Sequence, residues 1–386
     1  MQPSATSTSP FDIFARALDE TLFWLCSVAS PIGDEAALCD AVQARLAKLN
    51  LASPIRRYNN SIVVPLTRAA KGEKRPHIAL VGHLDTVRTE NGPARLEDGR
   101  CYGAGAADMK SGLACMIILG EILINYIEVD LTLVFYSREE GPFAENELGP
   151  VLEQDPDLGS VDLAVCLEPS DNRVHLGSNG SIHAMITFEG KTGHSARPWE
   201  AENAITKAAP FLAELADLDP VFHLIDGHTY KSVVTVTQAK DGGRGRNVVP
   251  DRFVLNVNHR FPPDTTPEKA KRYLFDLLDG RGEIEFTDTS PAAMPNASHP
   301  LVASLIAAGV AGVEPKQAWT DVARFAARGI AAVNFGPGEN AQAHQKNEST
   351  SLTLVHEGFN ILKRWLTTIG KDVKNSETGA AEKPNT

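Results

Sequence analysis

The stretch HIALVGHLD, residues 77–85, is an apolar run that ends in two polar residues, His83 and Asp85. An apolar segment of helical length follows it at residues 111–125. Three later runs are also apolar and are closed by polar or turn residues: LTLVFYS at 131–137, DLAVCLEP at 162–169 and IAAVNFGPG at 330–338. Buried strands that alternate with helices are typical of a largely parallel sheet. The sequence therefore predicts an α/β fold built on such a sheet.

A different pattern lies between about residues 182 and 287, where strands alternate apolar and polar residues. Helical segments at residues 201–218 and 267–278 give the order strand, helix, strand, strand, helix, strand, which is that of a ferredoxin-like α+β unit. We therefore predict a domain inserted into the α/β domain. The predicted bounds are 11–180 and 292–371 for the α/β domain and 181–291 for the insertion. The polar tails, residues 1–10 and 372–386, are predicted to be disordered.

The chain of 386 residues carries 37 Lys and Arg against 49 Asp and Glu, a formal net charge of −12. This charge argues against nucleic acid or an anionic membrane as the main partner and favours a metal or a small ligand. The five cysteines form no CxxC pair, which indicates neither a thiolate zinc knuckle nor a disulfide framework. The start lacks signal-peptide features, and no run of about 18 apolar residues occurs. We expect a cytoplasmic protein.

Candidate metal ligands close the apolar runs or lie in nearby loops: His83, Asp108, Glu139, Glu140, Glu168 and His344. In an open α/β sheet, ligands bind beyond the carboxyl ends of the strands. Each residue alone is explained by a solvated turn or a helix cap, but together they indicate a metal site. Histidine nitrogen with carboxylate oxygen suits zinc, and cobalt or manganese less exclusively. Asp85 lies on the same face of an extended segment as His83, so Asp85 is predicted to accept the hydrogen bond that orients that imidazole.

Five separated segments now match a family. GHLDTV at 82–87, GAGAADMKSG at 103–112, SREEGPF at 137–143, CLEPS at 166–170 and AHQKNE at 343–348 resemble, in order and spacing, the dinuclear zinc amidohydrolases of peptidase family M20. The resemblance spans the chain from about Ser30 to Glu348. It implies a zinc-peptidase-like catalytic domain with two Zn²⁺ ions, which Co²⁺ can replace, and an inserted domain that acts as a lid and dimerisation module.

The resemblance also implies a role for each candidate. His83 and Glu168 bind one metal, Glu140 and His344 bind the other, and Asp108 bridges the two. Glu139 stays off the metals and acts as the general base.

Further segments resemble the substrate-binding parts of the family. GKTGHSARP at residues 190–198 implies that His194 donates to the oxyanion in the partner subunit of a homodimer, and the alternative is a solvated loop histidine. The other implied substrate contacts are Asn247 and Arg260 for a carboxylate, and Arg324 and Gly336 for the acyl group. The alternatives are a surface-facing arginine row for Arg260 and an internal ion pair for Arg324.

Within the family, the late segments are most similar to the actinobacterial type of succinyl-diaminopimelate desuccinylase. This implies metal-dependent hydrolysis of N-succinyl-LL-2,6-diaminopimelate, a small N-acyl amino acid, to succinate and LL-2,6-diaminopimelate. Arg197, Ser178 and Asn179 depart from the pattern, so a related deacylase such as acetylornithine deacetylase, or a carboxypeptidase, remains an alternative. A non-catalytic metal-binding protein is the alternative from another class, although such a protein does not need Glu139.

Overall fold

The structure is a computed structural model that describes residues 10–379, while residues 1–9 and 380–386 lie outside the described part. The α-helices are α1 (Pro10–Ser27), α2 (Ala36–Leu46), α3 (Ser111–Leu123), α4 (Leu148–Gln154), α5 (Ala204–Ala216), α6 (Pro267–Leu278), α7 (Pro300–Ala307), α8 (Val322–Ala326) and α9 (Leu352–Gly379). The strands are β1 (Arg56–Tyr58), β2 (Ser61–Thr67), β3 (His77–His83), β4 (Arg95–Glu97), β5 (Arg100–Tyr102), β6 (Asp130–Tyr136), β7 (Leu163–Cys166), β8 (Arg173–Leu176), β9 (Gly180–Glu189), β10 (Gly193–His194), β11 (Val221–Ile225), β12 (His228–Asp241), β13 (Val248–Val249), β14 (Arg252–Phe261), β15 (Glu283–Ser290), β16 (Gly312–Pro315), β17 (Ala331–Asn334) and β18 (Ser349–Ser351).

The chain forms two compact units. The large unit contains the described residues up to Leu176, Asn296–Glu314 and the described residues from Arg324 onward. The inserted unit contains Gly177–Pro295 and Pro315–Ala323. The inserted unit is thus larger than the predicted insertion at residues 181–291. Its added segment is held by hydrogen bonds: the Asn179 N–H donates to the Lys316 carbonyl, and the Lys231 N–H donates to the Gln317 side chain.

The core of the large unit is an eight-stranded sheet in the order β1-β2-β6-β3-β7-β17-β8-β16. Its central strands β6, β3, β7 and β17 are parallel. Strand β2 pairs antiparallel with β1 and β6, and β8 pairs antiparallel with β17. Strand β3 is buried along its whole length, as expected of a parallel strand that is covered on both faces. The predicted α/β fold with a mostly parallel sheet is confirmed.

Helix α3 places the loop of Asp108 beside the carboxyl end of β7. Its first turn contains Gly112, where a Cβ atom would lie only 2.6 Å from the carbonyl oxygen of Leu167. The missing side chain therefore allows the helix to approach the backbone that follows β7. The loop before α3 carries Asp108, and Glu168 directly follows Leu167, so this close approach brings two candidate ligands near each other.

The inserted unit has an antiparallel five-stranded sheet in the order β11-β12-β14-β9-β15. Helices α5 and α6 pack on it around a core that includes Ile182, Phe211, Leu255 and Leu274. The predicted order strand, helix, strand, strand, helix, strand is found as β9, α5, β12, β14, α6 and β15. Strand β11 is an addition that forms a hairpin with β12 and lies at the edge of the sheet.

The predicted disordered tails, residues 1–10 and 372–386, fall mostly outside the described residues. Within the described part, Pro10 begins α1 and residues 372–379 continue α9, so the structure has helix where the sequence predicts disorder. Extension of an existing helix needs no new nucleus, which is why polar residues can prolong α9. Among residues 10–379, no helix has the length and apolar character needed to cross a bilayer.

Candidate metal centre

Three neighbouring strands end at the same edge of the large unit. Strands β6, β3 and β7 are adjacent and parallel, so their carboxyl ends lie side by side. His83 is the last residue of β3, Glu139 and Glu140 follow β6, and Glu168 follows β7. The structure therefore brings together the side chains that the sequence places at successive strand ends.

His83 is buried, with 1% of its surface exposed. Its Nδ1 lies 2.9 Å from the backbone carbonyl oxygen of Asp85, which can only accept a hydrogen bond, so Nδ1 carries a proton. In the neutral imidazole, Nε2 is then the nitrogen with the free lone pair. Nε2 lies 3.2 Å from Asp108 Oδ1, so this tautomer presents it to the carboxylate cluster.

Asp85 accepts the hydrogen bond of the His83 imidazole, and the accepting atom is its backbone carbonyl oxygen. The nearest carboxylate oxygen lies 3.6 Å from His83 Nδ1, which is longer than a hydrogen bond, and the Asp85 carbonyl accepts the proton instead. The carboxylate accepts the backbone N–H groups of Glu139 and Glu140 at 3.1 and 2.9 Å. Asp85 therefore positions three site residues, His83 through its main chain and the two glutamates through its side chain.

The two adjacent glutamates do not lie on an extended strand. The backbone leaves the β conformation at Arg138, whose φ is 63°, directly after the end of β6. Alternation of side chains between opposite faces holds only for extended backbone, so both glutamates can face the same site. The Glu140 side chain is 6% exposed, and Glu139 is partly buried.

Asp108 lies between the two histidines. Its Oδ1 is 3.2 Å from His83 Nε2, and its Oδ2 is 3.5 Å from His344 Nε2. His344 also lies 2.9 Å from Glu140 Oε2. The two oxygens of the Asp108 carboxylate thus face different histidines. The backbone of Asp108 is extended, with φ −117° and ψ 94°, and the peptide bond that follows it is cis.

The described residues include three groups of possible metal ligands. Within each group, the ligand atoms lie within 4.8 Å of one another. The groups are His83 with Asp108 and Glu168, Asp108 with Glu140 and His344, and His83 with Glu139 and Glu140. The first two groups contain the five residues that the resemblance implies as ligands, and they share Asp108. The third group shows that Glu139 lies beside the cluster.

The charges of the cluster favour a cation. The hydrogen bond with Glu140 is the main cause that raises the pKa of His344 to about 9, although burial opposes this shift. Burial lowers the pKa of His83, but the hydrogen bond with Asp108 and the nearby carboxylates raise it well above its usual value. Burial raises the pKa of Glu140. The four carboxylates of the three ligand groups outnumber the two histidines. Divalent metal ions therefore complement the charge of the site.

Glu348 is a buried residue that the sequence reasoning did not select. It is 2% exposed, and its carboxylate accepts hydrogen bonds from the loop that carries Asp108. Burial raises the pKa of Glu348 to about 7, against the effect of these hydrogen bonds. Its only signal in the sequence is its position at the end of AHQKNE, four residues after His344.

In the inserted unit, β10 pairs with β13, so His194 lies opposite Val248. The Ser195 N–H donates to the Asn247 carbonyl, which places the two predicted substrate-binding segments side by side. His194 is exposed, and its Nδ1 accepts the Ala196 N–H at 3.0 Å. The neutral imidazole therefore carries its proton on Nε2 and can donate it outward.

Arg260 lies on β14. The apolar face of this strand contributes Phe253, Leu255, Val257 and Phe261 to the core of the inserted unit, as the alternation predicts. Arg260 is partly buried, and its Nε donates to Asn258 Oδ1 at 2.9 Å. Burial lowers the pKa of Arg260, and the charge of Asp288 raises it. Arg260 is therefore not a fully solvated surface arginine.

Arg324 and Gly336 lie in the large unit, and both contact protein backbone. Arg324 is buried; its guanidinium lies 3.7 Å from the centre of the Phe143 ring and donates to the Phe143 carbonyl. A Cβ at Gly336 would lie 2.4 Å from the carbonyl oxygens of Leu167 and Glu168. Arg324 thus holds the loop after Glu140, and Gly336 allows close packing against the loop of Glu168. The contacts of both residues with a substrate acyl group stay predictions.

Comparison with known proteins gives a consistent result. The model of peptidase family M20/M25/M40 matches residues 79–368. A Mycobacterium tuberculosis protein provisionally named succinyl-diaminopimelate desuccinylase is 36% identical over 89% of this chain and 96% of its own. The succinyl-diaminopimelate desuccinylase of Corynebacterium glutamicum is 34% identical over 89% of this chain and 94% of its own.

A solved structure has the same fold. The tripeptidase from Staphylococcus aureus superposes with a TM-score of 0.75 over 92% of this chain and 99% of its own. Its sequence identity is 19%, so this similarity concerns the fold alone.

Proposed function

We propose, from the premise that this chain belongs to peptidase family M20/M25/M40 and is therefore a hydrolase, that it hydrolyses N-succinyl-LL-2,6-diaminopimelate. The observation that carries the chemistry is the pair of ligand groups that share Asp108, with Glu139 beside them. The names of the two actinobacterial relatives support the substrate, since both align over 89% of this chain.

The donor set fits two divalent ions. His83 and Glu168 would hold one, Glu140 and His344 the other, and Asp108 would contact both. Imidazole nitrogens with carboxylate oxygens suit Zn²⁺, with Co²⁺ as a substitute. When bound, such ions lower the pKa of water and polarise a carbonyl group.

Glu139 supplies the proton transfer. Its backbone is fixed by Asp85, and its carboxylate lies close to His83 and Glu140 without being needed in the two groups that share Asp108. In the proposed reaction, Glu139 accepts a proton from the attacking water as the water oxygen bonds to the amide carbon. It then gives this proton to the amide nitrogen as the C–N bond breaks, which releases succinate and the free amine.

His194 is the proposed oxyanion donor, because its Nδ1 accepts the Ala196 N–H and Nε2–H is free to donate. We propose that it acts in the partner subunit of a homodimer formed through the inserted unit. An exposed edge supports this assembly: on β11, Val221 is 55%, Phe222 65% and Leu224 76% exposed. Edge strands with apolar side chains are ready to pair with another chain.

The His194→Ala variant tests both the donor and the dimer. We expect kcat to fall by about 10²–10³-fold, the usual effect of losing one oxyanion donor. Mixing this variant with Glu139→Gln chains under conditions of subunit exchange should restore about a quarter of the wild-type activity of a two-fold dimer. At equal amounts, about half of the dimers are mixed. Each mixed dimer has one site of two with both Glu139 and the partner's His194. No recovery, with mixed dimers confirmed by mass spectrometry, would show that His194 does not act across subunits.

Substrate choice is tested by a panel of succinyl-diaminopimelate, acetylornithine and dipeptides. We expect the highest kcat/KM for the succinyl compound. A higher kcat/KM for acetylornithine would support the alternative of an acetylornithine deacetylase. The departures at Arg197, Ser178 and Asn179 are the reason for that alternative. Asn247 and Arg260 remain the candidate contacts for a substrate carboxylate, and the hydrogen bond to Asn258 fixes the Arg260 guanidinium.

A cytoplasmic location is part of the same proposal. Its support is that all five cysteines are buried thiols, which suits a reducing compartment.

A further inference from the structure

We infer that Glu348 is a positioning residue whose carboxylate fixes the loop of Asp108, and so sets the direction in which Asp108 faces the two histidines. The inference rests on the proposed two-metal hydrolase and assigns a role to a residue outside the ligand set. Its basis is the hydrogen-bond geometry of the large unit.

Three hydrogen bonds join the Glu348 carboxylate to this loop. Oε2 accepts the Gly105 N–H at 2.9 Å, and Oε1 accepts the N–H groups of Ala107 and Asp108, both at 2.9 Å. Glu348 is 2% exposed, so water does not compete strongly for these bonds. One carboxylate therefore satisfies three backbone donors of the loop, including the donor of Asp108 itself.

The main chain of Glu348 is anchored independently. Its carbonyl accepts the Gly103 N–H at 3.0 Å, and its N–H donates to Asn91 Oδ1 at 2.8 Å. The next residue, Ser349, begins β18 and pairs with Tyr102 of β5. Glu348 therefore connects a fixed strand to the loop, four residues after the predicted ligand His344.

The consequence for Asp108 follows from its short side chain. Once the backbone at Asp108 is fixed, only two side-chain torsions determine where its oxygens lie. They lie 3.2 Å from His83 Nε2 and 3.5 Å from His344 Nε2, so a shift of the loop changes both contacts together. A buried residue that orients a shared ligand in this way affects both ligand groups without touching a metal.

Two variants separate positioning from simple stabilisation. Glu348→Ala removes all three acceptor contacts. Glu348→Gln is nearly the same size, but it places an amide N–H₂ where one acceptor oxygen was, so it opposes a backbone N–H of the loop. Glu339→Gln is the matched control, because Glu339 accepts bonds from Arg100 and the Ser351 N–H but none from the Asp108 loop.

The first measurement is hydrogen exchange of the metal-free protein, followed on peptides that cover residues 103–112. We expect faster exchange in Glu348→Gln and faster still in Glu348→Ala, with no change in the Glu339→Gln control. Unchanged exchange in both Glu348 variants would overturn the inference, since the loop would then be held by other contacts.

The second measurement is a titration of the metal-free protein with Co²⁺, followed by calorimetry and by the visible absorption spectrum. We expect a loss of about 10–100-fold in affinity, the usual effect of removing a residue that orients a ligand, and an altered Co²⁺ spectrum. A lower melting temperature with wild-type Co²⁺ affinity and spectrum would show that Glu348 is only structural and would overturn the inference. If Glu348→Ala does not fold, Glu348→Gln decides the test.

Neither measurement uses a substrate. Failure of the substrate panel would therefore leave this result intact, and failure of this inference would leave the proposed reaction untouched.

Discussion

Replacement of Glu139 by glutamine is expected to lower kcat by about 10²–10⁴-fold, the usual contribution of a positioned acid–base group. The amide has almost the same shape as the carboxylate but cannot accept the proton of the attacking water. Asp85 binds the backbone N–H of residue 139, so the turn after β6 should persist in the variant. Both metals should remain bound, which elemental analysis of the purified variant measures beside the steady-state rate.

The Glu139→Gln result depends on that metal content. A low rate with wild-type metal content supports the assigned role of Glu139. Wild-type kcat in the fully loaded variant would contradict the proposed mechanism. Loss of metal would instead indicate that Glu139 is a metal ligand. The geometry allows this, because Glu139 lies close enough to His83 and Glu140 to share an ion with them.

Replacement of the next residue, Glu140→Gln, is expected to remove one metal as well as activity. Glu140 contacts His344 at 2.9 Å and belongs to the group of Asp108 and His344. A neutral amide is a weaker ligand than a carboxylate, so bound metal should fall from about two to about one per chain. The rate should fall at least as far as in Glu139→Gln, because the second ion no longer completes the site.

Each of these variants is the control for the other, because they make the same chemical change at adjacent positions of one turn. The expected difference is in metal content and not only in rate. Added Zn²⁺ or Co²⁺ should partly restore Glu140→Gln and should not restore Glu139→Gln. Full metal content in Glu140→Gln would contradict its role as a ligand.

Much of the fold could be predicted from the sequence because its signals are local. The apolar runs before His83, Glu139 and Glu168 are short and closed by turn residues, which predicts buried parallel strands. Parallel strands align their carboxyl ends, so the meeting of these side chains follows from the topology. The added strand β11 and the segment Pro315–Ala323 were missed because their places depend on contacts distant in sequence.

The details of the site could not be read in the same way. A two-residue spacing places Asp85 near His83, but only the turn geometry decides whether its carbonyl or its carboxylate meets the imidazole. Glu348 was missed because its partners are backbone N–H groups about 240 residues earlier, and backbone donors leave no mark in a sequence. The contact of Arg324 with Phe143 depends in the same way on distant loops.

The place of the inserted unit in the chain has a consequence for synthesis. The chain leaves the large unit after Leu176 and returns only at Asn296, so β17 is made long after β7, its partner in the sheet. A ribosome that has released the first part has made His83 at the end of β3 and Glu168 after β7, together with Asp108 and Glu140, but not His344. Contacts between such distant segments form late in folding. Of the two groups that share Asp108, the nascent chain thus holds one in full and completes the other only near the end of translation.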